Sequence, residues 1–299
     1  MLLLTVVYDK AREDIIEQVA EIKDYFQAKD VAFGVSESIE GNTHFLKIFC
    51  SDEKFNDRLL NVFNIYMANV LYNVVIDEFY NKEMDYFLTD TYFFLKNDEV
   101  AEIKKKSKLA LKSEGAILDE NMVYCLNRKN DILKKIIQCI EENKEINIKG
   151  FITFRMKEMR ESLENIVDKV VESYMVEKEY DEFIKLLKYF VDIQESKIDE
   201  VNIVVKNDGT YMIQDGKGND IFAQMLNELE EIKYTGMVSV EDMLISSLIT
   251  NSPKSIIIHC AENSINKELI ETIQNVFLDR VKICSKCKIC ESIKHSLKV

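Results

Sequence analysis

The sequence has very few residues that break helices or form tight turns. Among 299 residues there are one proline and eight glycines, and tryptophan is absent. Folds built from many short strands need a turn residue at each of their frequent connections, so this composition excludes turn-dense all-β folds. It also excludes a low-complexity chain rich in proline and glycine. Because 47% of the residues are apolar, the chain can bury a large core.

Positive charge is also scarce. The chain has 39 basic and 53 acidic residues and a net charge of -14. Nucleic acids and anionic lipids bind surfaces rich in Lys and Arg, so we expect neither as a general partner. Residues 279–299 are locally basic, and contact with an acidic protein, with an acidic helix face of another copy or with RNA stays open for them. We expect a protein partner or self-association.

Long apolar runs and a disulfide framework are both missing. The apolar run at residues 1–7 is too short to span a bilayer. A signal peptide has basic residues before its apolar region, and this run has none. We expect no later span either, and therefore a cytoplasmic protein. The chain has seven cysteines, an odd number. In a reducing compartment such a set indicates free thiols or a metal site.

The hydrophobic periodicity predicts a mainly helical α+β fold. A small β-α-β-β unit is expected first, then central amphipathic helices beginning at Ser51, and last a hairpin followed by a βαβ unit. The βαβ unit comprises a strand over 255–260, a helix over 264–277 and a strand over 281–284, so its two strands should be parallel. We predict three domains: 1–52, 53–196 and 197–299.

Residues 151–194 have the clearest helical pattern. Two apolar stripes predict two long amphipathic helices, joined near Glu177–Glu179 and packed on a shared core. The side chains that we expect to be buried are Phe154, Leu163, Val167, Phe183, Leu187 and Phe190.

The same segment resembles a known family. It begins with Phe-x-x-Phe-Arg at Phe151, continues through Glu-Lys-Glu-Tyr at Glu177 and ends with LLKYFV-x-x-Gln at Leu186. These features are similar to the YtxC family of sporulation proteins of endospore-forming bacteria, and the likeness covers roughly residues 60–290. The resemblance implies a role in sporulation. It implies no activity, ligand or catalytic residue, because the matching motifs are helix faces.

Three cysteines near the end of the chain form the sharpest chemical motif. Cys284, Cys287 and Cys290 are separated by two residues each, a spacing that lets three thiolates face one metal ion. The fourth ligand is either Cys260, which should emerge at the same sheet edge as Cys284, or His295. Zinc is the expected metal, and an iron–sulfur cluster is the alternative. A third interpretation is that these cysteines are free thiols in a Lys-rich tail.

No catalytic constellation is recognisable in the sequence. His259 and Cys260 are adjacent, but neighbouring strand residues point to opposite faces and cannot form a nucleophile–base pair. We interpret His259 as a core histidine. Two functions stay open: a non-enzymatic interaction or regulatory protein, and a metal-binding redox or regulatory protein that uses the three cysteines.

Overall fold

The computed structural model describes residues 1–9, 13–50, 56–113, 120–227 and 239–295. The chain divides into two compact units, Met1–Met175 and Val176–Val299. Each unit has a hydrophobic core of its own. Whether residues 1–52 and 53–196 behave as separate domains stays a prediction. The overall class, mainly helical with mixed sheets, is confirmed.

The first unit joins a four-stranded sheet to a set of helices. Its elements are β1 (Leu2–Tyr8), α1 (Glu13–Gln27), β2 (Phe33–Glu40), β3 (Thr43–Cys50), α2 (Asp57–Lys82), α3 (Met84–Thr91), α4 (Asn97–Lys112), α5 (Glu120–Glu142) and β4 (Glu145–Asn147). The sheet has the order β2-β3-β1-β4, in which β1 pairs antiparallel with β3 and parallel with β4. The predicted β-α-β-β unit is confirmed.

The start of α2 differs from the predicted helix start. Ser51 lies outside the described residues, and the helix begins at Asp57 after Asn56, whose side chain accepts a hydrogen bond from the Leu59 N–H.

By length and composition α2 could cross a membrane, contrary to our expectation for this chain. However, 56% of its most apolar window is buried inside the protein. This burial is that of a core helix and is compatible with a soluble protein.

Residues 151–193 lie in one helix, α6 (Ile148–Ile193), which has 46 residues. The predicted break near Glu177–Glu179 was therefore wrong. The segment contains neither glycine nor proline, and its cluster of charges forms an ion pair along the helix, with 3.9 Å between the Lys178 Nζ and a Glu182 carboxylate oxygen. Alternating charges at this spacing support a helix rather than end it.

The predicted buried set on α6 was half right. Leu163, Val167 and Leu187 are buried. Phe154 is 76% exposed, Phe183 49% and Phe190 40%. The apolar part of the α6 surface is wider than the part that neighbouring residues cover in each core. Hydrophobicity alone therefore did not identify the buried face.

The second unit is built on a four-stranded sheet. Its elements after α6 are β5 (Glu200–Val205), β6 (Tyr211–Asp215), α7 (Phe222–Asn227), α8 (Val240–Asn251), β7 (Ser255–His259), α9 (Lys267–Phe277), β8 (Val281–Cys284) and α10 (Lys288–His295). The sheet has the order β6-β5-β7-β8. Strands β5 and β6 form the predicted hairpin, and β7 is parallel to β8, as predicted for the βαβ unit, and also to β5. The last part of α6 contributes Ile184, Leu187 and Val191 to the core of this unit.

Candidate metal centre

Parallel strands place the first two residues of the site side by side. The apolar strand β7 ends at His259, and β8 ends at Cys284. The register pairs these two residues directly. Both strands end at the same edge of the sheet because α9, which connects them, returns the chain to the edge where β7 began. Helix α9 begins after Asn266, whose side chain accepts a hydrogen bond from the Leu269 N–H. His259 is buried, and Cys284 is half-buried.

The turn after β8 supplies the other two cysteines. Cys287 lies just before α10 and is half-buried, whereas Cys290 lies in the first turn of this helix and is fully buried. The amide of Asn207, in the β5–β6 turn, donates to the Ile293 carbonyl oxygen at 2.8 Å. This contact holds α10 beside the β5–β6 turn, and the thiols of Cys287 and Cys290 both lie next to His259.

The four ligand atoms converge on one point. They lie within 4.8 Å of one another. The His259 Nδ1 is 3.2 Å from the Cys287 Sγ and 3.5 Å from the Cys290 Sγ. The Cys290 Sγ is 3.6 Å from the Cys287 Sγ and 4.0 Å from the Cys284 Sγ. In a tetrahedral zinc site, S···S distances are about 3.8 Å and N···S distances about 3.6 Å, as follows from the bond lengths to zinc.

Two of the four groups, His259 and Cys287, have pKa shifts that favour binding of a divalent cation. Burial lowers the pKa of His259, against the opposing effect of the Glu200 charge, so the imidazole is neutral near neutral pH and keeps a lone pair. Burial raises the pKa of the Cys290 thiol. Burial also raises the pKa of Cys287, but hydrogen bonds from the Cys290 backbone and the neighbouring thiols outweigh it and bring this pKa below its ordinary value. Cys287 therefore forms a thiolate more readily than Cys290 does.

The two fourth ligands proposed from the sequence are placed differently. Cys260 is fully buried directly after β7 in a left-handed conformation, with φ of 54°. Its Sγ lies 3.9 Å from the Cys290 carbonyl oxygen, and it is not one of the four grouped residues. His295 is the last residue of α10, and its side chain lies outside the described part of the chain.

Sequence reasoning did not include His259 among the candidate ligands. The sequence predicts a core histidine, and the residue is buried, but its Nδ1 faces the thiols. The signal was present in the predicted parallel pairing, which placed the ends of the two strands together. The sequence predicts Cys260 beside Cys284 at that edge, and the register pairs Cys284 with His259 instead, one residue earlier.

Comparison with known proteins matches the greater part of the chain. The sequence profile of the YtxC-like family matches residues 65–282. A Bacillus subtilis (strain 168) protein named "Uncharacterized protein YtxC" is 28% identical over 204 residues, which cover 66% of this chain and 68% of that protein. No solved structure matches. The family match includes His259 but ends before Cys284, so it gives no information on the three cysteines.

Proposed function

The chain belongs to the YtxC-like family, and from this premise we propose that it is a cytoplasmic, non-enzymatic interaction protein of sporulation whose C-terminal unit binds one zinc ion. The observation that carries the proposal is the grouping of His259, Cys284, Cys287 and Cys290 within 4.8 Å. The role in sporulation rests on the family resemblance alone. The protein partner, or a second copy of the chain, is proposed from the acidic composition and the lack of a catalytic motif.

The donor set favours zinc in a structural role. Three thiolates and one imidazole form a Cys3His set, which is common for structural zinc. Catalytic zinc sites have three protein ligands and keep a fourth position for water or substrate. Here four protein atoms surround one point, which leaves no position for a substrate and supports a non-enzymatic role.

The distances favour one ion over an iron–sulfur cluster. A cluster is held by ligands attached to different irons, which separates those ligands by more than the span of a single ion. The four ligand atoms here are no more than 4.8 Å apart, a separation that matches ligands bound to the same ion.

Metal analysis of chelator-free protein tests the proposal directly. We expect about one zinc per chain for the unmodified protein, and loss of most of this zinc in Cys287→Ser. Cys139→Ser is the matched control, because Cys139 is a buried cysteine of the other unit, and it should keep the metal. Zinc-free protein that has an ordered α10 and freely titrating thiols would overturn the proposal.

A dithiol redox function is the second candidate. The Sγ atoms of Cys287 and Cys290 are 3.6 Å apart, and only Cys290 is fully buried. An accessible thiol just before a helix, followed by a buried thiol in its first turn, is the arrangement of thiol–disulfide exchange proteins. Metal-free protein equilibrated with a glutathione redox buffer should form this disulfide reversibly if the candidate is correct. Failure to form it at oxidising ratios would leave zinc as the function of these cysteines.

The interaction role needs a separate experiment. Tagged protein recovered from sporulating cells should retain a specific protein partner, or light scattering should show a defined oligomer of the purified chain. A monomer that retains no partner at any stage of sporulation would contradict the interaction role, while leaving the zinc site unaffected.

A further inference from the structure

Asn202 lies on β5 next to the metal centre and is buried. Its Oδ1 is 3.0 Å from the Nε2 of His259, the ring nitrogen on the side away from the cysteines. We infer that Asn202 is a positioning residue that keeps the proton of His259 on Nε2, so that the metal binds at Nδ1. This inference rests on the proposed zinc site and adds to it the residue that orients its only nitrogen ligand.

The hydrogen bonds around Asn202 fix the orientation of its amide. The Nδ2 group donates to a carboxylate oxygen of Glu200 at 3.0 Å and to the Asp215 carbonyl oxygen at 3.3 Å. Both partners can only accept, so the NH2 group must face them. The carbonyl oxygen of the amide therefore faces His259, and reversing the amide would place oxygen against two acceptors.

The amide orientation determines the tautomer of the histidine. Because the Oδ1 of Asn202 has no proton to donate, a hydrogen bond to it requires that the His259 Nε2 carries one. The neutral ring then has its lone pair on Nδ1, which lies 3.2 Å and 3.5 Å from the thiols of Cys287 and Cys290. The opposite tautomer would present an N–H to the metal position and could not coordinate.

The rigidity of β5 makes the hydrogen bond between Asn202 and His259 an effective constraint on the orientation of the imidazole ring. Strand β5 pairs with both β6 and β7, so the Asn202 backbone is held on two sides. Glu200, two residues earlier on the same strand, holds the amide. Outer hydrogen-bond partners of this kind set the orientation and basicity of a ligating histidine, and their removal lowers metal affinity by roughly 10- to 100-fold.

Zinc affinity of three full-length proteins tests the inference. In competition with a chromophoric chelator, Asn202→Leu should bind zinc about 10- to 100-fold more weakly than the unmodified chain. Asn251→Leu is the matched control. Asn251 is a buried asparagine of the same unit whose amide donates within its own helix, to the Ser247 carbonyl oxygen. It should bind zinc as tightly as the unmodified chain.

A second measurement does not depend on whether Asn202→Leu folds. Nitrogen-15 NMR of the His259 ring should show the proton on Nε2 in metal-free protein, and the added zinc on Nδ1. A proton on Nδ1, zinc on Nε2, or equal affinity in Asn202→Leu and the unmodified chain would overturn the inference and leave the zinc proposal standing. Absence of zinc binding by the unmodified chain would overturn the proposed function, and this inference with it.

Discussion

Ser107 of α4 is fully buried, and its hydroxyl has no hydrogen-bond partner within the described part of the chain. A buried hydroxyl without a partner is destabilising, and alanine is also the better helix former. Ser107→Ala should therefore stabilise the protein by about 1 kcal/mol in urea unfolding. Ser247 is the control, since it is equally buried in a helix but donates to the Leu244 carbonyl oxygen. If Ser247→Ala stabilises the protein by the same amount, the stabilisation by Ser107→Ala is explained by helix propensity alone.

The two neighbours His259 and Cys260 should respond differently to substitution. His259→Ala removes a ligand atom from the group of four and should weaken zinc binding at least about tenfold. Cys260→Ala removes a buried thiol outside that group and should leave the zinc affinity unchanged. Chelator competition on both variants makes the comparison. Loss of zinc in Cys260→Ala alone would restore the cysteine as the fourth ligand.

Individual residues were predictable from the sequence where spacing alone determines the chemistry. Cys284, Cys287 and Cys290 lie within seven positions, so any compact backbone brings their thiols close together. His259 depends on the register of two strands that are separated by α9. Asn202 depends on a third strand. Local pattern gives no information about either, because register is set by the packing of the whole sheet.

At the scale of elements, the face that α6 buries can be tested by two substitutions. Leu163 is fully buried, whereas Phe154, on the same helix and in the same unit, is 76% exposed. Leu163→Ala should cost about 2–5 kcal/mol of unfolding free energy. Phe154→Ala should change it by less than about 1 kcal/mol. Equal costs in urea unfolding would place Phe154 in a core.

Element types were predicted better than element ends. Period-two alternation predicted the hairpin of β5 and β6, and short apolar runs predicted β1 and β7. The short strand β4 (Glu145–Asn147) lies in a segment that the sequence predicts to be a connection, since three residues give no period. The break in α6 was wrongly inferred from a cluster of charges. Glycine and proline are the usual helix stop signals, and residues 151–193 contain neither.

At the scale of the whole molecule, the two cores should differ in their dependence on metal. The proposed zinc joins β7, β8 and α10, all of which belong to the second unit. Chelation should therefore reduce amide hydrogen-exchange protection in β7 and β8, and leave β1 and α2 unchanged. Exchange of the full-length protein with and without chelator measures this. Loss of protection in both units together would show that the zinc supports the entire chain.

The order of the ligands along the chain has a thermodynamic consequence. Three thiols are close in sequence, and an unfolded chain can wrap them around an ion without forming β7 or α9. A metal ion that also binds the unfolded chain stabilises the native state by less than its affinity for the native state suggests. His259 reaches the ion only when β7 pairs with β8, so its contact with the ion is made in the folded state and not in the unfolded state. The coupling of zinc to folding should therefore reside largely in this imidazole, so that saturating zinc raises the unfolding midpoint of the unmodified chain more than that of His259→Ala.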